Sequence, residues 1–193
     1  MLQYSVHAPP EFIRTHLDQL LPSWSLPVLS VLVVLQLCQF AFWERTADTE
    51  ISKNHFRQQF VEFGSGIVLQ LGTMGHLADL FEPRTGWPMV SPPGQLRLSD
   101  VKVVHSTLGY AINHSGPCAM IVHPTWGRAV YPSTLVSSAP PHVLESLVGS
   151  IVANLYSADP PVSRGIPLAA GRSEPTCLTA SKLSVAFLNT TTP

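Results

Sequence analysis

Three residues that bind metals or do nucleophilic chemistry lie within ten positions of one another: His114, Cys118 and His123, at spacings of four and five. A thiolate with imidazoles is a ligand set for zinc or another transition metal. A thiol beside an imidazole is also the pairing that nucleophilic catalysis uses. Either chemistry requires the side chains to converge. If Cys118 to His123 is one strand, their odd offset sends the two side chains to opposite faces, and only a bend at the strand end would reunite them. A structural zinc site also wants about four ligands, and here they are not clustered. The plainer reading of Cys118 is a small buried hydrophobe.

Asp79 and Glu82, close to Arg84, form a second candidate group, although carboxylates beside a turn more often cap it than act as acid and base. Trp126, next to Gly127, is either a surface anchor for a partner or a cover for the core. No GxGxxG, P-loop, HExxH or GxSxG pattern occurs in the sequence. Motifs alone therefore do not support an enzyme.

The elements that must position these residues can be read from periodicity. Gln3–His7 alternates like a short strand. Pro9 and Pro10 lead into a helix in which Phe12, Ile13, Leu17, Leu20 and Leu21 share a face, with Pro22 as its stop. Leu26–Trp43 is a long apolar run, nearly long enough for the roughly 20 residues that span a bilayer. Its valines, with Gln36 and Gln39 inside and Pro27 near its start, favour a long strand buried on both faces.

The main amphipathic helix follows. Ile51, Phe56, Phe60, Phe63, Ile67 and Leu71 recur at helical steps, Thr49 is the expected N-cap, and Gly72 and Gly75 end it. Gly64 and Gly66 inside it suggest a backbone packed close by. A strand, a turn over Glu82–Gly86 and a return come next. A loop or short helix is expected over Ser91–Ser106. Two or three strands follow to Ser138, with Pro124–Gly127 as a tight connection. A last helix carries Val143, Leu144, Leu147, Val148, Ile151 and Leu155. This order has no strict βαβ rhythm, so the expected class is α+β. A globular domain over 1–156 is expected to precede a Pro/Ser/Thr-rich tail over 157–193, flexible or loosely docked, with one weak strand signal in "KLSVAFL".

The 193 residues suffice for one domain with a real core. A net charge of -1, with scattered Lys and Arg, leaves no electrostatic footprint for nucleic acid or acidic lipid. Cys38, Cys118 and Cys177 are too few and too far apart for a disulfide framework. No basic, apolar leader opens the sequence. A cytoplasmic protein with no membrane partner is the expectation.

The segments "GHLADLFEPRTG" from Gly75, "LGY" from Leu108 and "GPCAMIVHPTWGRAVYPSTLV" from Gly116 resemble, in order and spacing, the methylmalonic aciduria and homocystinuria type D protein (CblD) family. The likeness extends upstream through "PPEFIRTHLDQLLP" and "FVEFGSGIVLQLGTMG" and covers roughly residues 3–150. Its most specific parts are Ala78-Asp79 with Glu82-Pro83 and Gly86, and His123 with Trp126-Gly127.

The resemblance implies a nitroreductase-like α+β sandwich of a mixed or antiparallel sheet with flanking helices, without flavin. It implies a non-enzymatic adaptor in cobalamin (vitamin B12) trafficking, working beside a cobalamin-processing protein of the CblC kind. The cofactor would be routed to methionine synthase or methylmalonyl-CoA mutase. No cofactor would be held tightly by the chain alone; cobalamin would be met through the partner. A cysteine thiolate of the family can ligate the partner's cobalt, which makes Cys118 the candidate cobalt-facing thiol. Vertebrate members carry two adjacent cysteines where this chain has Pro117-Cys118, so only the second position is retained. The long N-terminal region of animal members is also missing from the sequence. Two competing readings are a nitroreductase-like flavin or cobalamin reductase and a membrane-associated structural subunit anchored through residues 26–43.

Overall fold

The most apolar stretch of the chain lies at the centre of the fold. The computed structural model describes residues 1–38, 46–115 and 118–157, with backbone alone at 115, 118 and 155–157. Its elements run β1 (Leu2–His7), α1 (Glu11–Thr15), α2 (Leu17–Leu20), β2 (Ser30–Leu37), α3 (Ala47–Thr73), β3 (Ala78–Leu80), α4 (Asp100–Leu108), β4 (Ala111–Ser115), β5 (Cys118–Val122), β6 (Val130–Ser137) and α5 (Pro141–Ser157). The class is α+β, with antiparallel sheets and flanking helices. One sheet has the order β1-β2-β6-β3, and β4-β5 forms a separate hairpin.

Strand β2 is buried from Ser30 to Gln36. It pairs antiparallel with β1, where Leu2 meets Gln36 and His7 meets Val31, and with β6, where Ser30 meets Ser137 and Leu37 meets Val130. Successive side chains point to opposite faces, and both faces are covered. Val31, Val33 and Leu35 join a core with Ile13, Leu20, Leu21, Val103, Val104 and Ile121, contributed by α1, α2, α4 and β5. Leu32 and Val34 join a second core with Phe60, Ile67, Leu71, Leu144 and Val148 from α3 and α5. The sheet is thus the middle of three layers. The expected strand is present but shorter than Leu26–Trp43: 26–29 precede it, and 39–45 lie outside the described residues. No helix among the described residues is long and apolar enough to cross a membrane.

Strand β6 carries Pro132 in its interior, where a missing N–H would break a ladder. The position tolerates it for a directional reason. Thr134 offers its carbonyl to the Phe81 N–H on the β3 side, so Pro132, two residues away, faces the same side. Strand β3 pairs only with Leu135–Ser137, so the nitrogen of Pro132 faces no strand there, while its other side lies opposite Leu35 of β2.

Three helical details differ from expectation. The first helix is broken at His16 (φ -120°, ψ 26°). Thr15 Oγ1 donates to the Glu11 carbonyl at 2.9 Å and His16 Nδ1 bonds the Phe12 carbonyl at 3.0 Å, so side chains replace the next helical turn. Phe12 is exposed, off the apolar face assigned to it. Helix α3 starts earlier than Thr49. Thr46 is its N-cap, and Thr49 is the reciprocal partner three residues on. Ile51, expected on its buried face, is exposed, whereas Phe60, Ile67 and Leu71 are fully buried. Helix α5 buries Leu144 and Val148 as expected. The tail from residue 158, including "KLSVAFL" and Cys177, lies outside the described residues.

Among the glycines, Gly64 lies against the Leu80 and Leu135 side chains rather than a backbone, and Gly66 faces open space. Gly86 is different. Its φ is +73°, and an added Cβ would sit 2.3 Å from the Leu98 carbonyl oxygen. Its own carbonyl accepts from the Leu98 N–H at 2.9 Å, which fixes the approach to α4. Urea denaturation should show Gly86→Ala destabilising the domain by about 2 kcal/mol or more. Gly66→Ala, in an open helix interior, should stabilise it by about 0.5–1 kcal/mol.

Candidate functional site

Cys118 opens β5 and is paired with Ser115 of β4. Residues 116–117, which include Pro117, join the two strands and lie outside the described residues, as does the Cys118 side chain. The thiol candidate therefore stands at the closed end of a two-stranded hairpin. On β4, Ala111, Asn113 and His114 are exposed. On β5, Ile121 is buried in the core. Helix α4 packs against both strands. It ends at Gly109 in the left-handed conformation (φ 70°), and His105 Nδ1 bonds the Tyr110 carbonyl at 2.8 Å, which turns the chain into β4.

The far end of the hairpin is held by His123. Its ring is buried, stacked on Trp126 with centroids 4.2 Å apart and met edge-on by Tyr110 at 5.2 Å. Trp126 thus covers the core instead of standing out as an anchor. His123 Nδ1 accepts N–H bonds from Thr125 and Trp126, both at 3.1 Å. That nitrogen must be unprotonated, so Nε2 carries the hydrogen and donates it to Gln3 Oε1 at 3.0 Å. Both ring nitrogens are committed, and the residue ties the Pro124–Gly127 turn to strand β1. His123 is neither a metal ligand nor a base for Cys118. The His114–Cys118–His123 grouping does not assemble, because His114 is exposed on β4 while His123 is locked to Gln3. Among the described residues, no three His, Cys, Asp or Glu side chains converge as a metal site.

Asp79 and Glu82 organise the loop after β3. Asp79 is fully buried and accepts N–H bonds from Met89 and Val90 at 3.0 Å and from Ser91 at 2.7 Å. Glu82 accepts from Arg57 Nε of α3 at 2.6 Å and from the Arg84 N–H at 3.2 Å. Burial pushes the Glu82 carboxyl upward, but hydrogen bonds from Thr85, Arg57 and Arg84, with the Arg57 charge, outweigh it and hold it below the ordinary value. Arg84 continues the staple to Asn54 and Glu50. These carboxylates are receptors for turn N–H groups and a clamp on α3.

Gln3, Arg57 and Asp100 escape a reading of the sequence. The first two act on residues far along the chain. Asp100 resembles any acid in a helix's first turn, yet it is 9% exposed. Cys38, whose side chain is described, is buried, and burial pushes its pKa upward, so it is held as an unreactive thiol.

Together these features define a small α+β domain with Cys118 at the closed end of a hairpin footed on a helix and an aromatic turn. The chain belongs to the methylmalonic aciduria and homocystinuria type D protein family, whose model matches residues 1–147. It is 23% identical over 151 residues to the Homo sapiens protein named cobalamin trafficking protein CblD, covering 77% of this chain and 51% of that protein. The Rattus norvegicus protein of the same name is 22% identical over 150 residues, with the same coverage. The Gallus gallus protein is 22% identical over 140 residues, covering 72% of this chain and 47% of its own. The chain spans about half the length of these relatives.

The His123 lock has a pH signature. Burial lowers the pKa of His123 below its usual 6.5. The unfolded chain therefore binds a proton that the folded one refuses, and stability is complete above about 6.5 and falls as pH drops from there toward the folded value. His123→Ala should cost about 1–3 kcal/mol at pH 7.5, because three partners lose a hydrogen bond. Thermal unfolding from pH 7.5 to 5 should show the gap to wild type narrowing below about 6.5. A constant gap would contradict the neutral, doubly bonded imidazole.

Proposed function

We propose that this chain is a non-enzymatic adaptor in intracellular cobalamin trafficking, acting in the cytoplasm beside a cobalamin-processing partner of the CblC kind. The observation that carries this reading is the family match over residues 1–147, with relatives named for cobalamin trafficking. In this reading the partner holds cobalamin and the chain alone does not bind it tightly. Cofactor would pass onward to methionine synthase or methylmalonyl-CoA mutase. The nitroreductase-like sandwich is the finer fold assignment, supported by helices packed on both faces of an antiparallel sheet.

Cys118 is the proposed cobalt-facing thiol. A thiolate is a soft ligand, and a partner that fills the remaining coordination positions leaves one for it. A hairpin tip suits that task sterically, since a strand end can enter a partner's cleft without disturbing either core. Pro117 takes the place of the first cysteine of vertebrate members, so the ligand would come from the second position alone.

Absorption spectra of cobalamin loaded on the partner should change when this chain is added. Cys118→Ser should abolish the change and Cys38→Ser should preserve it. If wild type leaves the spectrum unaltered, the thiolate assignment is wrong. The adaptor role is tested separately by co-precipitation with the loaded partner, and absence of any complex would remove it.

A further inference from the structure

Asp100 is the first residue of α4, with Ser99 as N-cap, and its side chain is turned in toward Thr134 of β6. Thr134 lies close enough to favour the ionised carboxylate somewhat, yet neither Asp100 Oδ1 nor Thr134 Oγ1 completes a hydrogen bond. The charged and titratable groups around it are Glu82 and Arg84 from the turn after β3, Arg57 from α3 and Tyr131 from β6. Both guanidinium groups are already committed, Arg57 to Glu82 and Arg84 to Glu50. On its own helix, Lys102 and His105 are exposed. Among the described residues no cation pairs with Asp100, and its charged neighbour Glu82 has the same sign. A carboxylate cannot stay buried there in ionised form without compensation. Burial accordingly raises its pKa to about 8, with Glu82 adding to the rise.

An open hollow of about 300 Å³ adjoins the carboxyl, bounded by Pro83, Arg84, Leu98, Ser99, Tyr131 and Pro132. An ionised side chain that left Thr134 would enter water there, beside the Arg84 guanidinium. We propose that Asp100 is a proton-controlled latch: neutral, it seats the start of α4 on β6, and ionised, it swings into the hollow and lifts the helix's first turn. Helix α4 also supports both strands of the β4–β5 hairpin, so release loosens the hairpin's footing. The latch stands on the contacts of Asp100 and does not depend on the role given to Cys118.

The sign follows from proton linkage. The folded latch keeps a proton that the open form releases once pH exceeds about 4, so opening grows about tenfold per pH unit up to about 8 and then levels off. Amide exchange of α4 measures this directly. Exchange chemistry itself gains about tenfold per unit, so the logarithm of the α4 rate should rise with slope two between pH 5.5 and 7.5 and return to one above about 8.5. Asp100→Asn is neutral and nearly isosteric, and should give slope one throughout. Slope one in wild type overturns the latch, and so does slope two that persists in the variant. Should the variant fail to fold, the carbon-13 carboxyl titration of wild type decides. An aspartate titrating near 8 supports the latch, and complete titration of every aspartate below about 5 refutes it.

Discussion

Every other part of the fold depends on a strand that can be buried on both faces at once. Strand β2 meets this with a run of valines and leucines, the odd-numbered ones facing α1, α2 and α4 and the even-numbered ones facing α3 and α5. Its polar ends are buried and each donates a hydrogen bond to a distant part of the chain, although Gln36 Oε1 has no partner among the described residues. Ser30 Oγ donates to the Ala139 carbonyl at 2.7 Å, and Gln36 Nε2 donates to Gln59 at 3.1 Å. Each fully buried aliphatic side chain is worth about 1.5–3 kcal/mol of transfer free energy. A charge introduced anywhere along β2 would lack a partner in either core. This constraint also explains the low charge content near the strand and the placement of charged clamps at the periphery.

Those clamps perform the second task, closing loops whose ends are distant in sequence. Asp79 gathers three N–H groups from Met89–Ser91, Glu82 and Arg84 bind the turn to α3, and His123 binds the turn after β5 to Gln3 of β1. At Asp79, Glu82 and His123 a buried polar side chain takes over hydrogen bonds that irregular backbone cannot supply to itself. The segments that carry the family resemblance, Ala78-Asp79 with Glu82-Pro83 and Gly86, and His123 with Trp126-Gly127, contain several of these clamp residues. What looks like a motif for chemistry is in these places a motif for loop closure.

This distinction marks how far the sequence could be read. The apolar run of β2, the helical spacing of α3 and the tight turn at Pro124–Gly127 were all legible, because each is written in local periodicity or turn chemistry. The break at His16 was not, since a helix-compatible face continues through it and only Thr15 and His16 bonding back onto the chain ends the first turn. The cap of α3 was misplaced by three residues because Thr46 and Thr49 form a reciprocal pair and either could serve alone. Strand β5 separates Cys118, at its start, from His123, just past its end, but the sequence could not show that Gln3, on another strand, was the partner of His123. Asp100 was invisible for the opposite reason. An acid in a helix's first turn is normally solvated and dipole-stabilised, and only the packing of α4 on β6 reveals that this one is buried.

The hairpin that presents Cys118 is therefore framed by two residues that act in their uncharged forms. Before it, Asp100 at the start of α4 must keep its proton to remain against Thr134. After it, His123 must stay unprotonated at Nδ1 to hold the Thr125 and Trp126 N–H groups. The two requirements oppose each other in pH. Falling pH weakens the footing at the His123 end below about 6.5, and rising pH weakens it at the Asp100 end from about 4 up to about 8. In the closed, folded domain both groups are uncharged together between the depressed value of His123 and the raised value of Asp100. The closed end of a hairpin is held only as well as the elements that seat it. The uncharged state of these two remote residues is thus a condition for seating the hairpin on which Cys118 lies.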